Sequence, residues 1–338
     1  MNKKKYNVAV VGATGNVGRE ICEILSERKF PIENLSALAS SKSVGKMVSY
    51  GLDEEIPIQD FQSFDFANTD IAFSCADNQV AAQIVEKTQG LKTIIIDKSS
   101  LYRMNDKVPL IVPEVNLDAI SMHKNLNIIA SPNCNAIPIS IALKPLEDNF
   151  GLTRVVISTY QATSGAGKEA MDELYEQTKA KFLFQEIPPK IFPKTIAFNA
   201  IPQIGAFNTE GYSDEEIKIM QEIQKILALK NLPITVTAVR IPVFVGHSAS
   251  INVELEDEYS IQEIINSFKS LPAIRLADDI NEYYCPQDII NSDEVFISRI
   301  RRDTSNKKAI NLWITCDNLR KGAALNAVQI AEHLIKNN

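Results

Sequence analysis

The sequence predicts an α/β protein with two domains, of which the first is built on a doubly wound parallel sheet. Three observations support this prediction. Short apolar runs alternate with helical segments in the first half of the chain. A glycine-rich turn joins the first apolar run to the first helix, and a chain of 338 residues is longer than most single domains. The pattern then changes, which predicts a second domain.

The composition excludes several classes of function. Hydrophobic residues make up 45% of the chain and charged residues 23%, which is typical of a folded globular protein. The net charge of −7 disfavours nucleic acid or an anionic membrane surface as a partner. No apolar run is long enough for a signal-peptide core or a membrane span. We therefore expect a cytoplasmic protein.

The cysteines and histidines do not form a metal-binding or disulfide pattern. The cysteines are scattered, odd in number and without a C-x-x-C pair, which indicates reduced thiols; they are Cys22, Cys75, Cys134, Cys285 and Cys316. No histidine has a histidine or cysteine partner at metal-ligand spacing; the histidines are His123, His247 and His333. We expect a mechanism that uses no metal.

The first strand and turn predict a dinucleotide site. Tyr6 to Val11 is an apolar run typical of a buried parallel strand, and a helix with Ile21 and Leu25 on its apolar stripe follows the turn. A strand, a glycine turn and a helix in this order bring a pyrophosphate to a helix N-terminus. The spacing G-x-x-G-x-x-G differs from the usual G-x-G-x-x-G, and a tight turn without a ligand is the alternative. The candidate contacts are Gly12, Thr14, Gly15, Asn16 and Val17.

The second strand, Leu35 to Ala39, indicates which dinucleotide binds. NAD-binding units carry Asp or Glu after this strand to hold the ribose 2′-hydroxyl. Here the strand ends in hydroxyls and a lysine, which suit a 2′-phosphate, so we predict NADP; a solvated loop is the alternative. The candidate contacts are Ser40, Lys42 and Ser43. Strands at residues 70–75 and 93–96 and a helix at residues 79–87 continue the alternation.

Cys134 is the candidate nucleophile. It lies between an apolar run at residues 128–130, predicted to end a strand, and a predicted helix at residues 139–150. Asn133 or Asn135 is a suitable N-cap, and Pro138 is tolerated only near a helix start. The positive end of a helix favours a thiolate, which is a stronger nucleophile than a thiol. The alternative is a small buried residue at a strand–helix junction.

The second half combines extended runs with longer helices. We predict strands at residues 154–160, 234–245, 249–255, 292–301 and 310–316, helices at 168–182, 213–229 and 325–336, and a proline-rich loop at 187–202. His247 follows Gly246 at a strand break, which makes it the best acid–base candidate among the histidines. Glu215 and Lys218 share a helix face, where an exposed ion pair is the commoner arrangement.

Several motifs in a fixed order resemble the aspartate-β-semialdehyde dehydrogenase family along essentially the whole chain. They are Gly12-Ala13-Thr14-Gly15-Asn16-Val17-Gly18, Val112-Pro113-Glu114-Val115-Asn116, Ser131-Pro132-Asn133-Cys134, Gln161-Ala162-Thr163-Ser164-Gly165-Ala166-Gly167, Arg240-Ile241-Pro242-Val243, Gly246-His247-Ser248 and Asp317-Asn318-Leu319-Arg320-Lys321-Gly322-Ala323-Ala324. The resemblance implies a Rossmann-type NADP-binding domain at residues 1–130, completed by a C-terminal helix at 318–338. It also implies an α+β catalytic and dimerisation domain of the glyceraldehyde-phosphate dehydrogenase type at residues 131–317, and a homodimer.

The resemblance also implies a reaction and a set of roles. The reaction is NADPH-dependent reductive dephosphorylation of L-4-aspartyl phosphate to L-aspartate 4-semialdehyde and phosphate, in the biosynthesis of lysine, threonine, methionine and diaminopimelate. Cys134 is implied as the nucleophile that forms a thioester, His247 as its acid–base partner, and Gln161 as the residue that orients the intermediate. The implied substrate contacts are Arg240 for the α-carboxylate, Glu215 near the amino group, and Arg103, Asn133 and Lys218 for the phosphate. The further implied cofactor contacts are Ser164, Gly165, Asn326 and Gln329.

The sequence departs from the family at a few cofactor positions. Lys42 stands where the family commonly has arginine, Lys98 replaces a usual asparagine, and the turn at residues 74–78 lacks a usual glycine. Two alternatives remain. One is another acyl-phosphate reductase, of the N-acetylglutamyl-phosphate or glyceraldehyde-phosphate type; the other is a cofactor-sensing protein that has lost catalysis. Assays with the three substrates distinguish the reductases, and Cys134, Gln161, Arg240 and His247 together argue against a sensor.

Overall fold

The structure is a computed structural model that describes residues 4–336. Residues 1–3 and 337–338, which the predicted domain ranges include, lie outside the described residues. The strands are β1 (Tyr6–Val11), β2 (Ile32–Ala39), β3 (Met47–Tyr50), β4 (Glu54–Asp60), β5 (Ile71–Ser74), β6 (Ile94–Asp97), β7 (Ile128–Ala130), β8 (Leu152–Gln161), β9 (Ile234–Arg240), β10 (His247–Leu255), β11 (Ile274–Leu276), β12 (Val295–Arg302) and β13 (Ala309–Cys316). The helices are α1 (Asn16–Glu27), α2 (Asn78–Lys87), α3 (Pro113–Asn116), α4 (Ala136–Phe150), α5 (Lys168–Phe182), α6 (Asp214–Ile226), α7 (Ile261–Lys269) and α8 (Leu325–Lys336).

The chain divides into two units. The first comprises residues 4–133 and 323–336, and the second comprises residues 134–322. The predicted boundaries lie a few residues earlier, at 130 and 317. Within residues 4–336, no helix is both long and apolar enough to cross a membrane.

The first unit contains a seven-stranded sheet in the order β3-β4-β2-β1-β5-β6-β7. All neighbouring strands are parallel except the edge pair β3 and β4. The sheet therefore has the doubly wound parallel arrangement that the alternation of strands and helices predicts. Strand β1 is central, so the turn that follows it lies where the strand order reverses.

Helices α1 and α8 pack in the same apolar core of the first unit. The core side chains of α1 include Ile21 and Leu25, and those of α8 include Val328 and Leu334; all four are buried against β1 and its neighbours. An apolar stripe at helical spacing directs α1 onto the sheet. The packing of α8 in this core explains why the C-terminal residues belong to the first unit.

The second unit contains a six-stranded mixed sheet in the order β11-β12-β13-β10-β8-β9. The strands β12, β13, β10 and β8 are antiparallel neighbours, and β9 is parallel to β8. Along β10 and β13 buried and partly exposed side chains alternate over much of the length, as expected for a sheet with one covered face.

The proline-rich loop of the second unit is held by two buried polar side chains of α5. The Glu173 carboxylate accepts the amide hydrogens of Lys190 and Ile191 at 3.1 and 2.6 Å. The Gln177 side-chain oxygen accepts the Ile196 amide at 2.9 Å. Because the buried carboxylate and amide satisfy loop backbone groups, residues 187–202 follow a defined path without regular secondary structure.

Several short elements are absent from the sequence predictions. Strands β3, β4 and β11 and helix α7 are not predicted. The edge strand β3 has only four residues, and its neighbour β4 carries charged residues and Pro57, which weaken the strand signal. Helix α7 begins at a capping box formed by Ser260 and Glu263, a signal that is present in the sequence. The predicted helix bounds 168–182 and 325–336 are confirmed.

Candidate active site

The strand register of the second unit places the candidate catalytic residues at one end of the sheet. Gln161 on β8 lies opposite Arg240 on β9. His247 on β10 lies opposite Cys316 on β13, and the next residue of β10 pairs with Tyr160 on β8. The strands β9, β8, β10 and β13 therefore end or begin at the same level. This brings Arg240, Gln161 and His247, which are far apart in the sequence, into one row at this end of the sheet.

His247 is buried and directed by a backbone amide. Its ring is 2% exposed, and Nδ1 accepts the Ala162 amide hydrogen at 3.1 Å. Burial, and next the Arg240 charge, lower the pKa of His247 well below its usual range. The ring is therefore neutral, and because Nδ1 accepts a hydrogen bond, the ring hydrogen is on Nε2.

The Nε2 atom of His247 is available to a substrate. It is buried and makes no hydrogen bond to any group within residues 4–336. Buried donors are nearly always paired, so an unpaired one at a strand end indicates a missing partner. The backbone of Gly165 passes close to this atom, since a Cβ at that glycine would lie 3.2 Å from Nε2.

Arg240 shares the Ala162 peptide with His247. Its Nη1 donates to the Ala162 carbonyl at 2.6 Å, and its guanidinium lies over the ring of Phe192, 6.0 Å from the centroid. Burial lowers the pKa of Arg240, while Glu215 and Cys134 act in the opposite direction. A buried guanidinium with further donors is suited to a carboxylate ligand.

Gln161 and Glu215 form a second part of the row. The Gln161 side-chain oxygen accepts the Thr159 hydroxyl hydrogen at 3.0 Å, and its amide nitrogen donates to the Glu215 carboxylate at 3.1 Å. Thr159 thus sets the orientation of the Gln161 amide. Lys218 lies one turn further along α6 and is half-buried.

Cys134 lies two residues before the first residue of α4. Asn135 occupies the N-cap position, as the sequence predicts, but its side chain makes no capping hydrogen bond. Instead the Asn135 amide nitrogen donates to Cys134 Sγ at 3.9 Å. The predicted start of the helix at residue 139 is wrong, because the helix begins at Ala136 and Pro138 fits its first turn.

The other thiols differ from Cys134 in their surroundings. Burial raises the pKa of Cys22 and that of Cys75 to about 12, and it also raises the pKa of Cys316. These three thiols stay protonated and are weak nucleophiles. Cys134 is partly exposed, next to a helix N-terminus. No group of three or more His, Cys, Asp or Glu side chains in the described part of the chain could hold a metal ion.

The glycine turn of the first unit fits a dinucleotide pyrophosphate. Gly12 has φ +82°, and a Cβ there would lie 2.7 Å from the Cys75 carbonyl oxygen; a Cβ at Gly18 would lie 2.3 Å from the Gly12 oxygen. Only glycine allows this close approach of helix and turn. The helix α1 then begins with Gly15 as N-cap, with no side-chain cap from residues 4–336 and no acidic residue in its first turn. The start of the helix is therefore open to an anion, and Thr14, Asn16 and Val17 lie there.

The residues after β2 fit a phosphate rather than a ribose hydroxyl pair. Residues 41–43 form a 3₁₀ turn directly after the strand. Ser40 and Lys42 are exposed and Ser43 is half-buried. Hydroxyls and a cation at this position match the NADP prediction.

A polar cluster in the first unit surrounds Ser131. Arg103 donates to the Ser131 carbonyl at 3.1 Å and to the Lys98 carbonyl at 2.7 Å. The Asn326 amide nitrogen donates to Ser131 Oγ at 3.1 Å and to the Ile111 carbonyl at 3.0 Å. The Asn326 side-chain oxygen is buried and has no hydrogen-bond partner within residues 4–336. This orphaned acceptor fits a ligand amide, such as the carboxamide of nicotinamide.

The predicted site residues fall into two groups. The second unit brings together His247, Arg240, Gln161 and Glu215, with Gly165 against the first two. The first unit contains Arg103 and the buried Asn133, and on α8 Gln329 donates to Glu114 at 2.9 Å. Sequence reasoning missed the roles of Thr159 and of the Ala162 peptide, because a backbone group and a strand-end hydroxyl leave no recognisable signal.

Comparisons with known proteins agree with this arrangement. Residues 7–123 match the family model described as semialdehyde dehydrogenase, NAD binding domain, and residues 143–321 match the one described as semialdehyde dehydrogenase, dimerisation domain. The chain is 51% identical over 336 residues to an aspartate-semialdehyde dehydrogenase of Rickettsia conorii, with 99% of each chain covered. It is 40% identical over 342 residues to the enzyme of Bacillus subtilis, with 98% of each chain covered.

A solved structure has the same fold. Aspartate semialdehyde dehydrogenase II from Vibrio cholerae, complexed with ASA, matches with a TM-score of 0.96 and 38% identity over 99% of each chain. The fold and the site define an oxidoreductase with an NAD(P)-binding Rossmann domain and a semialdehyde dehydrogenase dimerisation domain. The chain belongs to the aspartate-semialdehyde dehydrogenase family. Its activity is that of this family, in the biosynthesis of aspartate-family amino acids.

Proposed function

We propose that the protein reduces L-4-aspartyl phosphate to L-aspartate 4-semialdehyde with NADPH and releases phosphate, through a thioester on Cys134. The observation that carries this proposal is the row at the sheet end, in which the unpaired Nε2 of His247 lies beside the Arg240 guanidinium. A hydrogen-bond donor for a reacting oxygen and a cation for a carboxylate are what this reaction requires.

Cys134 performs the group transfer. Its thiolate attacks the carbonyl carbon of the acyl phosphate, the carbon–sulfur bond forms, and phosphate leaves with the electron pair of the carbon–oxygen bond. A thiolate suits this task because it is a good nucleophile and, one step later, a good leaving group. When bound, the nicotinamide would supply a hydride to the thioester carbon. Cys134 then serves as the leaving group, because the thiohemiacetal on its sulfur expels the thiolate as the carbonyl re-forms.

His247 acts on the substrate oxygen. Its neutral ring donates from Nε2, so in the resting enzyme it is a donor to the oxygen on which negative charge develops. It donates a hydrogen bond to that oxygen, and keeps its own proton, as the tetrahedral centre forms and collapses. A donor held by the Ala162 amide needs no reorientation during the reaction.

The remaining polar residues bind the substrate. Arg240 is proposed to hold the α-carboxylate and Glu215 the amino group, while Gln161 orients the acyl group through the amide that Thr159 fixes. The hydrogen bond from Arg240 to the Ala162 carbonyl and the one from Gln161 to Glu215 support these roles, because each side chain keeps a defined direction before substrate arrives. For the phosphate we propose Arg103, Asn133 and Lys218.

We propose NADP as the preferred dinucleotide. Ser40, Lys42 and Ser43 follow β2 without a carboxylate among them, which favours a 2′-phosphate. Lysine offers a point charge rather than the planar fork of an arginine. Ser164, Gly165, Asn326 and Gln329 are proposed as further cofactor contacts.

We propose a homodimer formed through the second unit. Large apolar side chains on and after α5 are exposed, among them Phe182 at 74% and Phe198 at 67%, whose rings meet edge to face at 6.0 Å. Exposed aromatic surface of this kind is typical of a protein interface. Light scattering coupled to size exclusion measures the mass; a single-protomer mass at micromolar concentration would reject the dimer.

We further propose a cytoplasmic location and a place in lysine, threonine, methionine and diaminopimelate biosynthesis. The five cysteines of the chain are all free thiols, as is usual for proteins of a reducing compartment.

The reaction is tested with purified protein in the oxidative direction. L-Aspartate 4-semialdehyde, NADP and phosphate should give NADPH at a rate that depends on phosphate, and N-acetylglutamate semialdehyde and glyceraldehyde 3-phosphate should give far less. The variant Cys134→Ser should lose turnover and still bind NADPH in a fluorescence titration. Equal rates with one of the other aldehydes would assign the protein to a different acyl-phosphate reductase.

A further inference from the structure

The segment Asp317–Gly322 is the part of the sequence motifs to which the proposed mechanism gives no role. It follows β13 directly, and the pairing of Cys316 with His247 places its first residues beside Gly246. The Asp317 carboxylate holds the segment by accepting the amide hydrogens of Leu319 and Asn291, each at 2.9 Å. The segment therefore has a fixed path next to the strand that carries the histidine.

Asn318 uses its side-chain amide to join two pieces of backbone. Its oxygen accepts the Gly246 amide hydrogen at 2.8 Å, and its nitrogen donates to Ser164 Oγ at 2.9 Å. The side chain is 2% exposed, so these bonds have no competition from solvent. Each is worth more in such a site than at the surface, because a lost partner leaves a buried polar group unsatisfied.

Both partners of Asn318 lie against His247. Gly246 precedes it, with φ +96°, and a Cβ there would lie 2.8 Å from Pro286 Cβ, so only glycine fits at the start of β10. Ser164 lies in the 3₁₀ turn at residues 163–166, whose Gly165 backbone passes beside Nε2. One amide thus fixes the backbone that carries the imidazole and the backbone that borders its reactive nitrogen.

The same segment also contacts the nucleophile. A Cβ at Gly322 would lie 3.0 Å from the Cys134 carbonyl oxygen and 3.4 Å from Cys134 Cβ. Gly322 donates its amide hydrogen to the Asp317 carbonyl at 2.9 Å, within a π-helical turn at residues 320–324. Turns of this kind are rare and are concentrated at functional sites.

We propose that Asn318 is a positioning residue for the reaction, which holds the Gly246–His247 turn and the Ser164–Gly165 turn in register so that Nε2 meets the substrate oxygen. This inference rests on the proposed role of His247. A shift of about 1 Å in a catalytic group costs about 10²-fold in rate.

The test compares three variants in the phosphate-dependent assay. Asn318→Ala removes both hydrogen bonds and should lower kcat about 10²-fold while KM for the semialdehyde changes less than about threefold. Asn318→Asp keeps an acceptor for the Gly246 amide and for the Ser164 hydroxyl. At about pH 8, where the His247 ring is neutral, its kcat should therefore be at least about tenfold higher than that of Asn318→Ala. The control Asn311→Ala changes an asparagine of β13, the strand that precedes the segment. Asn311 accepts from Asn252 at 3.0 Å and pairs with it far along the sheet from His247, so this variant should keep wild-type kcat.

Further measurements separate positioning from misfolding and from failure of the mechanism. The alkylation rate of Cys134 by iodoacetamide should be unchanged in Asn318→Ala, because the variant displaces the histidine and not the thiol. A kcat within twofold of wild type, a rise in KM alone, or equal losses in the alanine and aspartate variants would overturn the proposal. If Asn318→Ala does not fold, Asn318→Asp provides the test. A kcat of Asn318→Asp as low as that of His247→Ala would refute the positioning role of Asn318. A fully active His247→Ala would instead overturn the proposed function itself.

Discussion

Replacement of Gly165 by alanine tests the geometry around His247. The added methyl carbon would lie 3.1 Å from Arg240 Nη1 and 3.2 Å from His247 Nε2. An oxygen that accepts a hydrogen from Nε2 must lie about 2.7–3.2 Å away, so methyl and substrate oxygen compete for the same space. Neither side chain can retreat easily, because the Ala162 peptide binds both.

The expected loss follows from that competition. Removal of one donor to a developing oxyanion costs about 10²–10³-fold in kcat, and about 10²-fold corresponds to about 2.7 kcal/mol. The φ of Gly165 lies outside the left-handed region, so the alanine adds no backbone strain, and the close contact alone should lower the free energy of unfolding by about 1 kcal/mol, less than the loss in transition-state stabilisation. Phosphate-dependent NADP reduction and urea unfolding measure the two effects, with Lys168→Ala, an exposed change three residues away, as control. A kcat/KM within threefold of wild type in Gly165→Ala would refute the arrangement described for Nε2.

Three further predictions concern other parts of the molecule. Gly12→Ala should lower the free energy of unfolding by more than Gly90→Ala. Both glycines have a left-handed φ, which costs about 1–3 kcal/mol in a non-glycine residue, but only the Cβ at Gly12 would meet a neighbour, at 2.7 Å from the Cys75 oxygen. Equal losses in urea unfolding would show that this close approach is unimportant. Burial and Arg240 lower the pKa of His247 well below 6.5, so the ring stays neutral as the pH falls through that value. Between about pH 8 and about pH 6, kcat/KM should therefore show no loss from protonation of His247. A fall in kcat/KM near pH 6.5 that coincides with the His247 titration in NMR would contradict this. Lys42→Glu should shift the ratio of NADP to NAD activity toward NAD, because a carboxylate repels a 2′-phosphate and accepts from a ribose hydroxyl; an unchanged ratio would exclude Lys42 from the cofactor site.

The elements with strong local signals are the ones that the sequence predicts well. The apolar run before Gly12, the glycine turn and the stripe of α1 predict the start of the parallel sheet, and helices α5 and α8 have the predicted bounds. Strands β3 and β4 are missed because β3 is only four residues long and β4 carries charges and a proline, and their pairing depends on neighbours rather than on their own pattern.

The candidate site is only partly readable in the sequence. Cys134 and His247 stand out because their residue types carry chemistry and their flanks indicate strand and helix ends. The register that aligns Gln161, Arg240 and His247 is a property of three strands, β8, β9 and β10, from distant parts of the chain. The contacts of Asn318 and of the Ala162 peptide depend on that register, so they could be found only in three dimensions.

The thioester on Cys134 is the central claim, and its direct observation is the most decisive measurement. Wild-type protein is mixed with L-aspartate 4-semialdehyde and NADP without phosphate, quenched in acid, digested and analysed by mass spectrometry. Without phosphate to release it, the aspartyl group should remain on the peptide that contains Cys134, in an amount equivalent to the NADPH formed, and added phosphate should remove it. NADPH formation with no adduct on Cys134, or with an adduct on another residue, would contradict the mechanism.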